Sequence, residues 1–356
     1  MHHYRKLAYL VFSVKFCYYH GNGRFRFVHC MTIRASLFLC CVVVSQALSQ
    51  PSEPVVLLFA GDVTLARHID TQVGDNTGYV FQRWGSVRPY DIFMVNLENP
   101  VTESNEKVEK EYNFKMSPKY FRVLRDGGIN IVNAANNHIA DYGRSGIFDT
   151  MRSLDSAGIR YVGIGKNLRE ARKPVILSLK GRKVGFLGYH GGDRFAATED
   201  SAGIAPRFQG YIVEDVKKLR QQADYVVVNF HWGEELAEYP DEWQRELAHR
   251  VIEAGANLIV GHHPHVLQGI EQYRGATIAY SLGNFVFGGN ARHSYDTAVL
   301  KVVLNGNQPS VELLPVSVVR WQPRLAEGES AMNILQLVQE RSSLLQNSTL
   351  PNAVTK

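Results

Sequence analysis

The chain has 356 residues, of which 45% are hydrophobic and 21% charged, a composition sufficient for one large globular domain or two small ones. The formal net charge of +5 is concentrated at the N-terminus: six of the 39 Lys and Arg residues, and none of the 34 Asp and Glu residues, precede residue 50. The remaining chain is close to neutral and provides no electrostatic basis for binding nucleic acid. The four cysteines also precede residue 50, so the rest of the chain can form neither disulfides nor thiolate metal sites.

The N-terminus is typical of a targeting segment. A short basic start, Met31-Thr-Ile-Arg34, precedes an apolar run from Ala35 to Val44 that is too short to span a bilayer, and Ala47-Leu48-Ser49 suits signal cleavage. We expect residues 31–49 to be a signal peptide or N-terminal anchor, so that the protein is exported to the periplasm or the cell exterior, membrane-associated if the segment is not cleaved. Residues 1–30 fit a signal poorly and are expected to be a mis-assigned extension; a longer two-part membrane anchor is the alternative.

From Val55 onward, short apolar runs alternate with amphipathic helical patterns. Six runs are predicted as buried strands: Val55–Ala60, Ile92–Val95, Ile129–Ala134, Tyr225–Phe230, Leu258–Val260 and Thr277–Tyr280. Three helices are predicted, one from Ser117-Pro118, one along Ile147–Leu154 and one from Pro240, each ended by a left-handed glycine: Gly127, Gly158 and Gly255. A helix that ends at a glycine and is followed by a buried strand is the repeating pattern of an α/β layered fold.

The later part of the chain completes this pattern. Pro174–Leu179 and Lys183–Leu187 are predicted to form a hairpin, and Lys301–Leu304 and Ser310–Pro315 to be closing strands. A final helix, Met332–Leu345, leads into a polar tail, so that residues 326–356 form a separate C-terminal segment.

Polar residues interrupt the pattern where the predicted strands end. Asp62 follows the first strand and Glu98 the second. Beyond the later strands come three more groups: Asn137 and His138; His231; and His262, His263 and His265. The carboxyl ends of strands in open α/β sheets converge on one crevice, so we expect these side chains to lie at one rim.

A mixed set of imidazole, carboxylate and amide ligands suits Mn, Fe or Zn. A carboxylate can bridge two such ions about 3.5–4 Å apart, which then clamp the attacking and leaving oxygens of a phosphoryl displacement. A histidine that does not bind metal can protonate the leaving group.

Each of these strand-end motifs also has a purely structural explanation when it is considered alone. An Asp after a strand is more often a turn or helix-cap residue, Asn136-Asn137-His138 can be a turn, and His231 can be a half-buried strand-end histidine. Three histidines within four residues after a buried strand are uncommon in a loop. The combination therefore favours a metal site over coincidence.

Taken in order along the chain, these strand-end motifs resemble those of a known family. Gly61-Asp62-Val63, Asn96-Leu97-Glu98, Asn136-Asn137-His138, His231-Trp232-Gly233, Gly261-His262-His263-Pro264-His265 and Tyr280-Ser281-Leu282-Gly283-Asn284-Phe285 resemble those of the CapA-like family. These capsule and poly-γ-glutamate biosynthesis proteins are a branch of the calcineurin-like metallophosphatase superfamily. The resemblance covers residues 54–325 and implies a four-layer αββα sandwich with two divalent metal ions.

The resemblance also implies roles for the strand-end residues. Six would bind the two ions: Asp62, Glu98, Asn137, His231, His263 and His265. Asp62 and His265 would serve the first ion, Glu98 would bridge both, and the others would serve the second. His138 would be the acid beside the transferred phosphoryl group, and His262 would contact the ligands without binding metal.

Two residues depart from the superfamily pattern. Its usual opening is Asp-x-His, but Thr64 stands at the third position here. Its bridging ligand is usually Asp, but Glu98 takes that place. The first ion would therefore be one ligand short, which leaves both its occupancy and catalysis open.

Several further residues lie near the predicted site in sequence. Arg67, one turn after Asp62, is the strongest candidate to receive an anionic substrate, whereas a solvated surface charge is slightly favoured for Lys115 and Arg144. Glu234 and Tyr239 follow His231 and are expected to line the entrance to the same predicted site.

Three hypotheses for function remain open. The first is a metal-dependent hydrolase acting on a phosphoester-like anionic small molecule or polymer. The second is a non-catalytic accessory protein that works with a capsule or polyglutamate synthesis machinery and whose metal is structural or binds polymer carboxylates. The third is a binding module with an empty site. Fold and family do not decide among them.

Overall fold

A computed structural model describes residues 53–191, 194–306 and 308–347. Its strands are β1 (Val55–Thr64), β2 (Ile92–Leu97), β3 (Ile131–Asn133), β4 (Arg160–Val162), β5 (Ile164–Gly165), β6 (Val175–Leu179), β7 (Arg182–His190), β8 (Gly203–Ile204), β9 (Tyr225–His231), β10 (Leu258–His262), β11 (Ile270–Tyr273), β12 (Ala276–Ala279), β13 (Asn284–Phe287), β14 (Ser294–Asn305), β15 (Gln308–Val319) and β16 (Gln322–Leu325). Its α-helices are α1 (His68–Val73), α2 (Phe121–Asp126), α3 (Gly143–Ala157), α4 (Leu168–Ala171), α5 (Gln209–Arg220), α6 (Glu242–Glu253) and α7 (Gly328–Asn347), and short 3₁₀ turns cover Gly85–Val87 and Pro118–Tyr120.

The strands form two large mixed sheets and one small pair. The first sheet has the order β16-β15-β14-β1-β2-β3-β4, with β13 also pairing with β1, and the second has the order β11-β12-β10-β9-β7-β6. Strands β1 to β4 run parallel to one another, as do β7, β9, β10 and β12. Each sheet therefore gathers the carboxyl ends of several strands at one edge.

Alternating side chains show how the layers pack. In β9, Tyr225 and Val227 belong to the same buried cluster as Leu57 of β1, whereas Val226 and Val228 belong to a cluster on the opposite face. Successive strand residues point to opposite faces of a sheet, so the shared cluster is the layer between the two sheets.

Helices cover the outer faces. Helix α2 packs through buried residues such as Val123 into the outer cluster of the first sheet, and α5 and α6 contribute Ile212 and Val251 to that of the second. The predicted four-layer αββα sandwich is confirmed.

The predicted strands and helices are present with shifted bounds. The two closing strands, β14 and β15, are much longer than predicted, because each continues into ends that are mostly exposed and partly polar and therefore give no apolar signal. Gly158 is left-handed as predicted, with φ 71°, but Gly127 is not: its φ is −67°, and the left-handed residue is Gly128 with φ 75°.

The predictions for residues 1–30 and 31–49, and for the polar tail beyond residue 347, lie outside the described residues. Among the helices that the structure does describe, none combines the length and apolar character needed to cross a bilayer.

Two glycines let backbone segments approach closely where the polar strand ends begin. A Cβ atom on Gly61 would lie 1.8 Å from the carbonyl oxygen of Gly283, and one on Gly261 would lie 1.9 Å from that of Tyr280. Both distances are far below van der Waals contact. Asp62 and His262 directly follow these glycines, so the strand-end geometry depends on residues that lack a side chain.

We predict that Gly261→Ala destabilises the protein by about 3 kcal/mol, because the obstacle is a backbone carbonyl that cannot rotate away. Gly210→Ala is the matched control: no atom lies within 4 Å of its Cβ position in the first turn of α5, so we expect a neutral effect or a gain below about 1 kcal/mol. Urea unfolding followed by circular dichroism measures both. Equal stability of Gly261→Ala and the parent protein would contradict the packing described.

Candidate metal centre

The polar residues predicted from sequence meet where the carboxyl ends of the two sheets come together. Asp62 lies near the end of β1 and pairs in register with Asn96 of β2, and Glu98 directly follows β2. In the second sheet, His231 ends β9 and pairs in register with His262, which ends β10. The parallel register therefore delivers side chains from both sheets to one place.

Three groups of side chains have ring nitrogens and carboxylate oxygens within 4.8 Å of one another: Asp62, Glu98 and His265; Glu98, His231 and His263; and Glu235, His263 and His265. Glu98 belongs to two of the groups, as a carboxylate bridging two ions would. Five of the six predicted ligands occur in these groups, and the sixth, Asn137, places its Oδ1 atom 2.8 Å from His231 Nε2.

Asp62 is buried and held on several sides. Asn96 Nδ2 donates to its Oδ1 atom at 2.8 Å, and His265 Nδ1 lies 3.2 Å from Oδ2. The backbone N–H of His263 also donates to Oδ2 at 3.4 Å. Burial raises the pKa of the Asp62 carboxyl, but the hydrogen bond and charge of His265 outweigh it, so the pKa is lowered and the carboxylate is the stable form.

Glu98 is equally buried, but both of its carboxylate oxygens lack a hydrogen-bond partner within the described part of the chain. Burial and the nearby Asp62 charge raise the pKa of Glu98 well above its usual value. A buried carboxylate without donors costs free energy unless a cation is present. The orphaned oxygens, surrounded by imidazoles, fit a pair of divalent metal ions.

The histidines divide into neutral and charged members. Burial lowers the pKa of His231 well below its usual value and that of His263 to about 4, so both are neutral near pH 7, the form that binds metal. Burial also opposes the charged form of His265, but Glu98 and Asp62 raise its pKa to about 10. The two carboxylates therefore stabilise positive charge at the position of His265.

The histidine loop has an unusual backbone. His263 has φ 98° and His265 has φ 58°, a left-handed conformation that residues with a Cβ adopt at a cost. This backbone turns both rings toward the strand ends: His263 and His265 have ring centroids 5.9 Å apart, and His263 lies 4.7 Å from the ring of His231.

His138 occurs in none of the three ligand groups and is held differently. Its Nδ1 atom lies 2.8 Å from Asp141 Oδ2, and Asp141 also accepts hydrogen bonds from Lys110 Nζ and the Phe114 N–H, each at 2.7 Å. Because Asp141 accepts from Nδ1–H, the other nitrogen, Nε2, is left for proton transfer. Burial lowers the pKa of His138 despite the neighbouring Asp141 carboxylate.

Thr64 and His262 lie beside the predicted ligands. Thr64 is buried and donates from Oγ1 to the Glu98 carbonyl at 3.3 Å. His262 is buried beside Asp62, with Nδ1 3.7 Å from Asp62 Oδ1, and neither ring nitrogen has a hydrogen-bond partner among the described residues.

Three predicted cations are placed differently from one another. Arg67 stacks over the ring of Phe114 at 4.8 Å, and that ring lies 4.3 Å from the ring of His138, so the guanidinium is near the proposed acid. In contrast, Lys115 Nζ donates to the Ser104 carbonyl at 2.6 Å, and Arg144 donates to the carbonyl of Ala202. The structure thus ties Lys115 and Arg144 to neighbouring loops.

Sequence analysis missed Glu235, Lys110 and Asp141. It proposed Glu234, which is exposed and occurs in none of the ligand groups found among the described residues; its neighbour Glu235 does. Tyr239 is also exposed. The available signals were weak: Asp141 lies three residues after His138, and Glu235 four residues after His231.

Comparison with known proteins agrees with the motifs. The family described as bacterial capsule synthesis protein PGA_cap matches residues 56–289. The chain belongs to this family. The capsule biosynthesis protein CapA of Bacillus anthracis is 32% identical over 291 residues, covering 77% of this chain and 70% of that protein. The PGA biosynthesis protein CapA of Bacillus subtilis (strain 168) is 34% identical over 281 residues, covering 76% and 74%.

Among solved structures, a dimetal phosphatase from Danio rerio matches with a TM-score of 0.34 and 9% identity, covering 74% of this chain and 99% of that one. The predicted membership of the CapA-like family is confirmed by the two sequence comparisons.

We predict that Glu98→Gln stabilises the metal-free protein by about 1–2 kcal/mol, because the amide removes a buried carboxyl that has no donors. The same change should reduce the rise in melting temperature that Mn²⁺ produces in the parent protein, since ligand binding stabilises by mass action. Thermal unfolding in EDTA and in excess Mn²⁺ measures both effects. A Glu98→Gln protein that is less stable than its parent in EDTA would mean that the carboxylate is satisfied without metal.

Proposed function

We propose that this chain is an exported, metal-dependent hydrolase that acts on phosphoester-like anionic substrates during the synthesis of capsule or poly-γ-glutamate. The observation that carries the proposal is the buried Glu98 carboxylate, which is shared by two ligand groups and has no hydrogen-bond partner among the described residues. The polymer context is suggested by the names of the B. anthracis and B. subtilis relatives. Export is suggested by residues 31–49 of the sequence.

The residues divide into those that hold metal and those that act on the substrate. Two ions (Mn, Fe or Zn) would be held by Asp62, Glu98, Asn137, His231, His263 and His265. When bound, such ions acidify water and stabilise charge on phosphoryl oxygens.

His138 supplies the proton in this proposal. A water oxygen forms a bond to phosphorus while the bond between phosphorus and the leaving oxygen breaks. The protonated His138 ring donates its Nε2 proton to the leaving oxygen and afterwards takes up the proton that the attacking water releases. Asp141 keeps Nδ1 protonated and the ring fixed through its 2.8 Å contact. Arg67, near His138 across the ring of Phe114, orients the anionic substrate.

A second candidate function is an accessory role in polymer synthesis or export without catalysis. Thr64 favours it, because the position usually occupied by a ligand histidine holds a hydroxyl that donates to the Glu98 carbonyl at 3.3 Å. The metal would then bind carboxylates of a polyanionic polymer, and the partner would be the capsule or polyglutamate synthesis machinery.

We predict that His138→Ala lowers kcat for p-nitrophenyl phosphate or bis-p-nitrophenyl phosphate by about 100-fold or more while metal content stays unchanged, since His138 donates a proton but binds no ion. His263→Ala should lose metal and turnover together. Elemental analysis and steady-state assays with Mn²⁺ measure the two quantities.

The outcomes separate the candidates. If the parent protein binds no Mn, Fe or Zn at micromolar concentration, the hydrolase proposal is wrong. If metal binds but no phosphoester is turned over, the accessory role is favoured, and metal-dependent binding of poly-γ-glutamate is its test.

A further inference from the structure

The first metal position lacks a ligand that the superfamily pattern would supply. Thr64 occupies that sequence position, and its hydroxyl already donates a hydrogen bond to the Glu98 carbonyl. On the described part of the chain, Asp62, Glu98 and His265 are left to hold this ion. A tetrahedral or octahedral ion with three protein ligands has room for another.

The geometry points to Glu235 as the further ligand of this centre. Its carboxylate oxygen lies within 4.8 Å of ring nitrogens of both His263 and His265. His265 also belongs to the group with Asp62, and His263 to the group with His231. Glu235 is exposed, whereas Glu98 is buried, so the two carboxylates approach the histidines from the solvent side and the protein side.

Backbone hydrogen bonds hold Glu235 near the two histidines. Glu235 lies in the loop after β9, and that loop is hydrogen-bonded to the histidine loop on both sides of the residue. Trp232 N donates to the His262 carbonyl at 3.1 Å, and Leu236 N donates to the Pro264 carbonyl at 2.9 Å. Pro264 is the residue between the two histidines, so Glu235 is fixed beside them.

The neighbouring acids have other surroundings. Glu238 pairs with Arg341 at 2.7 Å, and Glu234 occurs in none of the ligand groups in the described ranges. Leu236, directly after Glu235, has φ 61°, a left-handed conformation that is costly for a branched residue and that places the loop against Pro264. Among the three glutamates of this loop, the ligand position is therefore specific to Glu235.

A third carboxylate also suits the charge of the centre. Together with Asp62 and Glu98, it neutralises most of the charge of two divalent ions and leaves a net positive site for an anionic substrate. This inference rests on the metal centre of the proposed function, and it gives that centre a further carboxylate ligand beside His263 and His265.

The test compares Glu235→Gln with Glu234→Gln, which removes the same charge from the adjacent residue. The full-length proteins are stripped with EDTA and titrated with Mn²⁺ by isothermal calorimetry, and bound metal is counted by elemental analysis. We expect two ions in the parent protein and in Glu234→Gln. In Glu235→Gln, one ion should bind at least about 100-fold more weakly, because loss of a direct ligand exceeds the effect of losing an outer contact. Equal melting temperatures in EDTA check that both variants fold.

Other results would overturn the inference. If Glu235→Gln binds two ions as tightly as the parent protein, Glu235 is not a ligand, although the proposed function stands. If both variants lose affinity equally, the effect is loop charge and not coordination. If the parent protein itself binds no metal, the proposed function fails, and this inference fails with it.

Discussion

The buried pair of carboxylates, Asp62 and Glu98, is the constraint around which the centre is organised. Both are fully buried. Asp62 is balanced by His265 and by the amide of Asn96, whereas Glu98 has no hydrogen-bond donor among the described residues. A buried carboxylate without hydrogen-bond donors opposes folding, so the fold retains Glu98 at a cost that a bound cation would reduce. Residues retained against stability in this way are expected at functional sites.

The remaining structure brings imidazole nitrogens to those carboxylates. Parallel strands from two sheets end at the same place, and close contacts at Gly61 and Gly261 allow the backbones to meet there. The left-handed His263 and His265 turn two rings toward the carboxylates, and burial keeps His263 neutral. His138 is held by its contact with Asp141 and lies outside the proposed ligand groups, as the proposed division between proton transfer and metal binding requires.

The sequence was sufficient to predict the strands and their polar ends, because buried parallel strands are continuous apolar runs and their carboxyl ends converge. The sequence was insufficient where tertiary contacts determine the position or conformation of a residue. Glu235 lies beside the histidines because the Leu236 N–H donates a hydrogen bond to the Pro264 carbonyl. No local sequence pattern predicts this long-range contact. Gly127 was wrongly predicted to be left-handed because two adjacent glycines can each end a helix, and here Gly128 is the one with positive φ. The mostly exposed ends of β14 and β15 lacked the apolar signal that marks a strand.

The most direct test of the central claim is a crystal structure of the protein grown with Mn²⁺, with anomalous diffraction measured above and below the manganese absorption edge. The account predicts two anomalous peaks about 3.5–4 Å apart, both within bonding distance of Glu98. One peak should also contact Asp62 and His265, and the other His231 and His263. A map without peaks at this cluster, in crystals soaked to saturation, would contradict the account.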